Sequence, residues 1–235
     1  MLKLKKISHY SSMLFDPVFL TRYRLHIALK NVLTAVIDDD LHCLDVGCGD
    51  RPYESFFAPA HYVGVDVQNS GRPLTMKQPD QFYDGKTLPY ADASFGLVMS
   101  TQVLEHVPDP LALLTEMARV CKRGGYVIVS LPFVYQEHEE PFDYFRFTGF
   151  GIASLLQRAG LQVVTVNKDS TAVDAIAVLV NTYVMSSLVP PVRGLGRLLA
   201  LLFCFPVQLL AMVLAKALPN GGQLYLNLVV LARKP

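Results

Sequence analysis

A glycine-rich turn after the first predicted strand, Leu41–Val46, is the first segment whose residues could take part in chemistry. Asp45 stands near the end of that strand, and Gly47, Cys48 and Gly49 follow in the turn. Glycines here let the backbone approach a ligand closely, and a helix starting after the turn would offer amide donors. Three interpretations stay open. A dinucleotide site lacks its third glycine because Pro52 stands there, a P-loop lacks its Gly-Lys-Ser/Thr, and a tight strand–helix turn needs no ligand.

Acidic residues after the next strands favour a nucleoside ligand over a bare turn. Asp66 lies at the end of the predicted strand Tyr62–Val67, where a carboxylate can accept hydrogen bonds from both ribose hydroxyls. Asp84 and Gly85 begin a further segment that continues as Lys-Thr-Leu-Pro-Tyr to residue 90.

These motifs resemble the class I S-adenosylmethionine-dependent methyltransferases. The glycine loop, Asp66, the block from Asp84 to Tyr90 and the segment Val-Leu-Glu-His-Val-Pro-Asp-Pro at 103–110 follow in the family's order. The resemblance covers roughly residues 40–170 plus the last strand, and four ordered motifs are far more specific than one glycine loop. It implies an α/β, Rossmann-like sheet of seven strands with the last strand antiparallel, and S-adenosyl-L-methionine as the cofactor.

The resemblance also implies three groups of cofactor contacts. The loop around the methionine moiety comprises Asp45, Gly47, Cys48 and Gly49. The nucleoside is held by Asp66, Val67, Asp84 and Gly85. The pocket beneath the sulfonium is lined by Ser100, Thr101 and Gln102.

Two further blocks, Gly49–Glu54 and Pro132–Thr148, resemble a subgroup associated with bacterial polysaccharide and cell-surface glycan synthesis. The second block follows the fifth strand and would cover the acceptor side of the pocket. The resemblance therefore implies O-methylation of a small-molecule, glycan or lipid-linked acceptor. The alternative is a catalytically silent protein that keeps the fold for membrane docking or as a scaffold.

Transfer to a hydroxyl needs a group that removes its proton. His138 is the first candidate, because the flanking Glu137, Glu139 and Glu140 would raise its basicity, although a solvated acidic loop is the alternative. Glu105 and His106 come second, although a role of His106 in ordering the loop before the next helix is favoured over a catalytic one. No metal is expected, since the four cysteines form no CxxC pair.

Composition limits the class of protein. An apolar content of 51% with 17% charged residues excludes disordered and coiled-coil chains, and a net charge of +1 gives no support for nucleic-acid binding. Residues 1–30 nevertheless carry six lysines and arginines against Asp16 alone. The cysteine usage and the interrupted N-terminal apolar run predict a reducing, cytoplasmic location without a signal peptide.

The resemblance implies a methyltransferase domain at 41–171 and 223–235. The residue pattern predicts an N-terminal helical segment at 1–40 and an apolar helical insertion at 172–222. The predicted strands are Leu41–Val46, Tyr62–Val67, Gln81–Tyr83, Phe95–Ser100, Tyr126–Leu131, Leu161–Val166 and Leu224–Leu231. The predicted helices of the domain are Pro110–Lys122 and Phe150–Ala159.

The insertion contains two charge-free stretches of 18 residues, Ala175–Val192 and Leu198–Ala215. As helices they are about 27 Å long, slightly short of a hydrocarbon core of about 30 Å. Because the last strand rejoins the sheet, the chain crosses a membrane zero or two times, and two crossings would place Arg193 and Arg197 outside. We therefore expect peripheral attachment to the inner membrane face through a re-entrant or interfacial hairpin and the basic segment 1–30, with a soluble cap or dimer interface as the alternative.

Overall fold

The computed structural model describes residues 16–38, 40–58, 61–188 and 195–235. Seven strands form one sheet: β1 Cys43–Val46, β2 Tyr62–Val67, β3 Gln81–Tyr83, β4 Phe95–Thr101, β5 Cys121–Pro132, β6 Gln162–Lys168 and β7 Asn227–Arg233. Their order is β3-β2-β1-β4-β5-β7-β6. Strands β1 to β5 pair in parallel and β7 pairs antiparallel with β5. The predicted seven-stranded Rossmann-like sheet with its last strand antiparallel is confirmed.

Burial explains why the central strands read as continuous apolar runs. Every residue of β1 is buried, and β4 and β7 are almost entirely buried, as expected where a sheet is covered on both faces. The reversal of strand order next to β1 brings the carboxyl ends of β1 and β4 to a crevice, which is the usual ligand site of open α/β sheets.

Helices connect the strands as follows: α1 Phe19–Val36, α2 Pro110–Val120, α3 Gly149–Arg158, α4 Ala172–Tyr183, α5 Leu195–Leu199 and α6 Phe205–Ala217. Helix α2 begins at the predicted residue, Pro110. Asp109 caps it by accepting a hydrogen bond from the Ala112 amide at 3.0 Å, and a proline is favoured in the first turn. Its predicted end at Lys122 was two residues late. Cys121 already pairs with Phe95, so β5 begins before the glycine pair that was expected to stop the helix.

The described residues divide into two compact units. One contains the residues up to Ile27, Val134–Gln136 and Lys168–Leu226, and the other contains Ala28–Phe133, Glu137–Asn167 and Asn227–Pro235. The first unit therefore joins the apolar insertion to the beginning of α1, an association that the sequence did not indicate. The part of segment 1–40 before residue 16 lies outside the described residues.

The unit with the insertion has its own apolar core, formed by Phe19, Leu20, Ala175, Ala177, Val178, Ala211 and Leu226. Polar side chains are buried beside this core. The Gln208 amide accepts from the Leu20 N–H at 3.1 Å and donates to the Asp16 carbonyl at 3.0 Å. Buried Asp174 pairs with Arg24 at 2.9 Å. The polar residues of the insertion thus fix the entry of the chain into α1.

Two π-helical turns, Val184–Leu188 and Ala200–Cys204, extend α4 and lead into α6. Among the described residues, no helix combines the length and the apolar composition that crossing a bilayer requires.

Candidate active site

A cavity of about 670 Å³ lies at the carboxyl ends of β1, β2, β3 and β4. This volume is within the range of small-molecule and cofactor pockets. Eight of the predicted cofactor residues line it: Gly47, Gly49, Asp66, Val67, Asp84, Gly85, Thr101 and Gln102. Of the three predicted catalytic residues, His106 lines it.

The glycine loop wraps around the end of β2. The Gly47 and Cys48 amides donate to the Val65 carbonyl at 2.8 and 3.1 Å, and the Gly49 amide donates to Asp66 Oδ2 at 3.0 Å. Gly47 has a φ of +77°, and a Cβ there would lie 2.4 Å from a methyl carbon of Val103. Glycine is therefore required at this position both for conformation and for space.

The helix expected after this loop is replaced in the described residues by a short 3₁₀ turn, Glu54–Phe56. Arg51 precedes it with a φ of 59° and pairs with Glu54 at 3.0 Å and Asp80 at 2.8 Å. Its guanidinium also lies 5.0 Å from the Tyr62 ring centroid. These contacts fix the conformation of the loop. The prediction that a helix N-terminus supplies amide donors here is therefore wrong, and a loop held by Arg51 takes its place.

Asp45 lies behind the cavity wall. Its side chain is fully buried, and the Tyr62 hydroxyl donates to Oδ2 at 2.5 Å. Burial raises the pKa of Asp45 to about 7, an effect that the Tyr62 hydrogen bond partly offsets. The structure therefore places Asp45 as a residue that supports the loop from below.

Cys48 and Ser100 also lie behind the cavity wall. Burial, helped by Asp45 and Asp66, raises the pKa of the Cys48 thiol to about 12, which is consistent with a packing residue. The Ser100 hydroxyl donates to the Val46 carbonyl at 2.9 Å and ties β4 to β1. This geometry disfavours direct contact of either residue with the cofactor.

Asp66 is where a ribose-binding carboxylate was predicted, but it has a partner that the sequence did not reveal. The Lys77 Nζ lies 3.1 Å from Asp66 Oδ1 and donates to the Val67 carbonyl at 2.5 Å. Both side chains are almost fully buried, and both residues line the cavity. A lysine eleven residues from the acid shares no motif with it, so only the fold brings them together.

The Asp84 carboxylate turns back on its own loop. Its Oδ1 accepts from the Lys86 and Thr87 amides at 2.8 and 2.9 Å, and these bonds hold the pKa of Asp84 below its usual value. The neighbouring lining residues Phe82 and Tyr83 supply ring surface suited to an adenine. Neither aromatic residue was singled out from the sequence.

The predicted catalytic residues meet beside the part of the cavity wall that His106 forms. Glu105 and His106 belong to a 3₁₀ turn, Leu104–His106, whose Glu105 carbonyl accepts from the Tyr144 amide at 2.8 Å. His138 stacks edge to face on His106, with ring centroids 4.6 Å apart. The two sequence candidates for the base, far apart in the chain, are therefore one cluster.

The expected high basicity of His138 is wrong. Burial and the neighbouring His106 lower its pKa, and they outweigh Asp143 and Glu139, which raise it. Asp143 accepts from the His138 amide at 2.9 Å and lies 3.2 Å from Nδ1, while Arg146 binds both of its oxygens at 2.6 and 2.8 Å. This network holds the pKa of Asp143 well below its usual range and makes Asp143 and Arg146 a structural pair that orients His138.

Burial also raises the pKa of Glu105 to about 8. Glu139 lines the cavity beside the cluster with a φ of 54°, and Arg72 Nε donates to its Oε1 at 2.6 Å. Glu139 and Arg72 were not recognised as a pair, because 67 residues separate them.

Comparisons with known proteins agree with this geometry. Residues 20–166 match the family model described as a methyltransferase domain. An uncharacterized methyltransferase of Mycobacterium tuberculosis is 40% identical over 95 residues, which are 37% of each chain. One from Mycolicibacterium gilvum is 34% identical over 126 residues, 46% of this chain and 49% of its own. The chain thus spans less than half of the length of these curated relatives.

Solved structures share the fold. An S-adenosylmethionine-dependent methyltransferase from Aquifex aeolicus aligns with 99% of this chain and 96% of its own, with a TM-score of 0.52 and 15% identity. The cyclase SpnF aligns with 92% of this chain and 81% of its own, with a TM-score of 0.56 and 18% identity. At such identities the likeness concerns the fold alone. By its family match, the chain belongs to the methyltransferase domain family.

Proposed function

We propose that this protein transfers the methyl group of S-adenosylmethionine to a hydroxyl oxygen of a glycan or lipid-linked acceptor. The observation that carries the proposal is one cavity lined both by Gly47, Gly49 and Asp66 and by His106. The first group suits a nucleoside and a methionine moiety, and His106 suits an acceptor that must lose a proton. We retain the predicted contacts of Asp66, Asp84 and Gln102 as part of this proposal.

The reaction is an in-line displacement. The acceptor oxygen forms a bond to the methyl carbon, the carbon–sulfur bond breaks with its electron pair left on sulfur, and the hydroxyl proton departs. Because the sulfonium is already a good leaving group, the main tasks of the protein are alignment, exclusion of water and proton removal. We assign the promotion of this proton loss to the cluster of Glu105, His106 and His138.

The insertion supports a location at the inner membrane face, because it buries polar side chains and exposes apolar ones, the reverse of the usual arrangement in a globular protein. Asp174, Asn181 and Gln208 are buried, whereas large apolar side chains of α4 and α6 are exposed: Ile176, Leu179, Val180, Tyr183, Leu209, Leu210 and Val213. An exposed apolar surface of this kind suits an interface with lipid or protein. Of the predicted basic contacts, Lys3, Lys5, Lys6, Arg193 and the side chain of Arg197 lie outside the described residues.

Equilibrium binding of S-adenosylmethionine tests the first part of the proposal. Asp66→Asn should weaken binding by about 10- to 100-fold, because the neutral amide replaces a charged acceptor of two hydroxyl hydrogen bonds. The matched control is Asp92→Asn, an exposed carboxylate paired with Arg119 at 2.8 Å, which should leave the affinity unchanged. Equal affinities for wild type and Asp66→Asn would overturn the ribose assignment.

The acceptor class is tested with methyl-labelled cofactor and cell extracts. Label in a lipid or polysaccharide fraction supports the proposal, and label confined to small soluble molecules contradicts the acceptor. Cofactor binding without any transfer would favour the alternative of a catalytically silent methyltransferase fold.

A further inference from the structure

The carboxylate of Glu105 is buried without compensation. Its side chain is 0% exposed, and within the described residues neither of its oxygens has a hydrogen-bond partner. His106 Nε2 is a third buried atom without such a partner among the described residues, and it lies 3.9 Å from Glu105 Oε1. Unsatisfied buried polar atoms are costly and call for an explanation such as a missing ion.

The remaining contacts of His106 determine which of its nitrogens carries the proton. Its Nδ1 lies 2.9 Å from the Phe142 carbonyl oxygen. A carbonyl only accepts hydrogen bonds, so Nδ1 carries the hydrogen and the lone pair of the neutral ring is on Nε2. That lone pair is the one beside Glu105, and Glu139 Oε2 is also 3.9 Å from it.

His138 completes the cluster. Asp143 Oδ2 lies 3.2 Å from its Nδ1, and Asp143 is itself held by Arg146. A histidine oriented by a carboxylate and another oriented by a backbone carbonyl are the arrangements that support metal-bound imidazoles. One donor atom from each of Glu105, His106 and His138 lies within 4.8 Å of the other two.

We propose that Glu105, His106 and His138 bind a first-row divalent metal ion, with Zn²⁺ as the representative ion. Two imidazoles and one carboxylate form the donor set of catalytic zinc sites and of related iron sites, in which the remaining positions stay open. The nitrogen donors disfavour Mg²⁺ and Ca²⁺, which prefer oxygen ligands. Closing the cluster to bonding distances near 2.0–2.2 Å requires small side-chain movements.

The position of the cluster indicates what the ion would do. His106 lines the cavity, so an open coordination position can receive an oxygen from that side. A hydroxyl bound to a divalent cation loses its proton far more readily than a free one. This consequence rests on the proposed function: the two histidines would act as ligands, the ion would make the acceptor oxygen nucleophilic, and the hydroxyl proton would pass to water. Binding of the ion itself does not depend on methyl transfer.

The test is metal titration of the full chain after dialysis against a chelator, followed by calorimetry with Zn²⁺ and by visible spectra with Co²⁺. We expect one ion per chain in wild type. Glu105→Gln and His106→Ala should each weaken Zn²⁺ binding at least tenfold and remove the Co²⁺ spectrum. The matched control is His42→Ala, since His42 also stacks on a histidine, with its ring centroid 4.6 Å from that of His61, and it should bind the ion like wild type.

Binding of S-adenosylmethionine is measured on the same samples and separates the possible failures. Wild type that binds the cofactor but no Zn²⁺, or Zn²⁺ binding that is unchanged in both cluster variants, overturns the metal site. Zn²⁺ binding that requires Glu105 and His106 in a protein without cofactor affinity upholds the metal site and refutes the proposed function. Because wild type alone can give the decisive negative, the test does not depend on the folding of the variants.

Discussion

Asp45 and Asp66 end neighbouring parallel strands, yet their surroundings give them different tasks. Asp66 is almost fully buried with a lysine and two backbone amides as partners, so its charge is compensated inside the cavity wall. Asp45 has the Tyr62 hydroxyl on one oxygen, and its Oδ1 has no partner among the described residues. An incompletely compensated carboxyl at the base of the loop makes the stability of the protein sensitive to pH.

The pH prediction concerns Asp45. Burial raises its pKa from 3.8 to about 7, so between these values the native state holds a proton that the unfolded chain has lost. The contribution of Asp45 to stability is therefore fully present below about pH 4, falls as the pH rises to about 7 and is constant above that. Relative to Asp45→Asn, wild type should lose stability on the order of a few kcal/mol over this window.

Urea unfolding of both proteins at several pH values from 4 to 8 measures this difference. A stability difference that is independent of pH, or one that grows in favour of wild type toward pH 8, would show that the Asp45 carboxyl is not held protonated by its surroundings.

Two non-glycine residues with positive φ angles lie at the cavity. Gln102, directly after β4, has a φ of 56°, and its amide donates to the Ser130 carbonyl on β5 at 2.9 Å. Glu139 has a φ of 54° in the loop that carries His138. Non-glycine residues with positive φ are uncommon and cluster at functional sites, where surrounding contacts maintain them. Both residues line the cavity, which agrees with its assignment as the site.

The end of α3 offers a prediction about a glycine outside the site. Gly160 has a φ of +81°, and the following Leu161 amide donates to the Leu156 carbonyl at 3.0 Å, as in the predicted C-terminal glycine cap. A Cβ at Gly160 would meet nothing within 4 Å, so only the conformation opposes a side chain. Gly160→Ala should therefore destabilise the protein by about 1 kcal/mol.

Gly221→Ala is the matched control, because a Cβ there also has open space and its φ is not in the left-handed region. It should be neutral or stabilising by up to about 1 kcal/mol in the same denaturant titration. Equal effects of the two substitutions would show that the backbone at Gly160 is not strained by a side chain.

At the scale of the whole molecule, the insertion presents an apolar surface to its surroundings and buries its polar side chains. Leu209, Leu210 and Val213 on α6 are 53–59% exposed, whereas Gln208 on the same helix is 2% exposed. The inward polar groups satisfy backbone groups near residues 16–20, so they cannot be exchanged for the apolar ones by rotating the helix. The apolar surface is therefore a fixed feature of this unit.

The membrane prediction follows from this surface. The full chain should co-sediment with anionic phospholipid vesicles, and high salt should weaken the binding without abolishing it, because apolar and electrostatic contacts act together. Replacing Leu209, Leu210 and Val213 with serine should lower the partition coefficient at least about tenfold. The control is Leu74→Ser with Met76→Ser, since these side chains are equally exposed in the other unit.

Two results would contradict peripheral membrane binding. One is an intact chain that stays in the supernatant with vesicles and elutes as a monomer without lipid or detergent. The other is elution as a dimer that the α6 substitutions dissociate, which would assign the surface to a second copy of the chain.

The sequence by itself determined the sheet and part of the cavity lining. Strands that are buried on both faces are apolar, and loops that approach a ligand closely need glycine. These requirements, like an acid that follows a strand, concern residues close together in the chain and can therefore be recognised in the sequence. For this reason the sequence predicts the seven strands and cavity residues such as Gly47, Asp66 and Asp84. The expected helix after the glycine loop failed because Arg51, Glu54 and Asp80 stabilise a shorter turn there.

Only the tertiary structure decided the pairings between distant residues and the electrostatics that follow from them. Lys77 beside Asp66, Arg72 beside Glu139 and His138 beside the Glu105–His106 turn share no sequence motif, since in each case the packing of separate segments joins them. Burial likewise reversed the expected basicity of His138, because desolvation depends on the atoms that surround a side chain in space and not on its neighbours in sequence. For the same reason the exposed apolar and buried polar faces of the insertion became visible only in the folded chain.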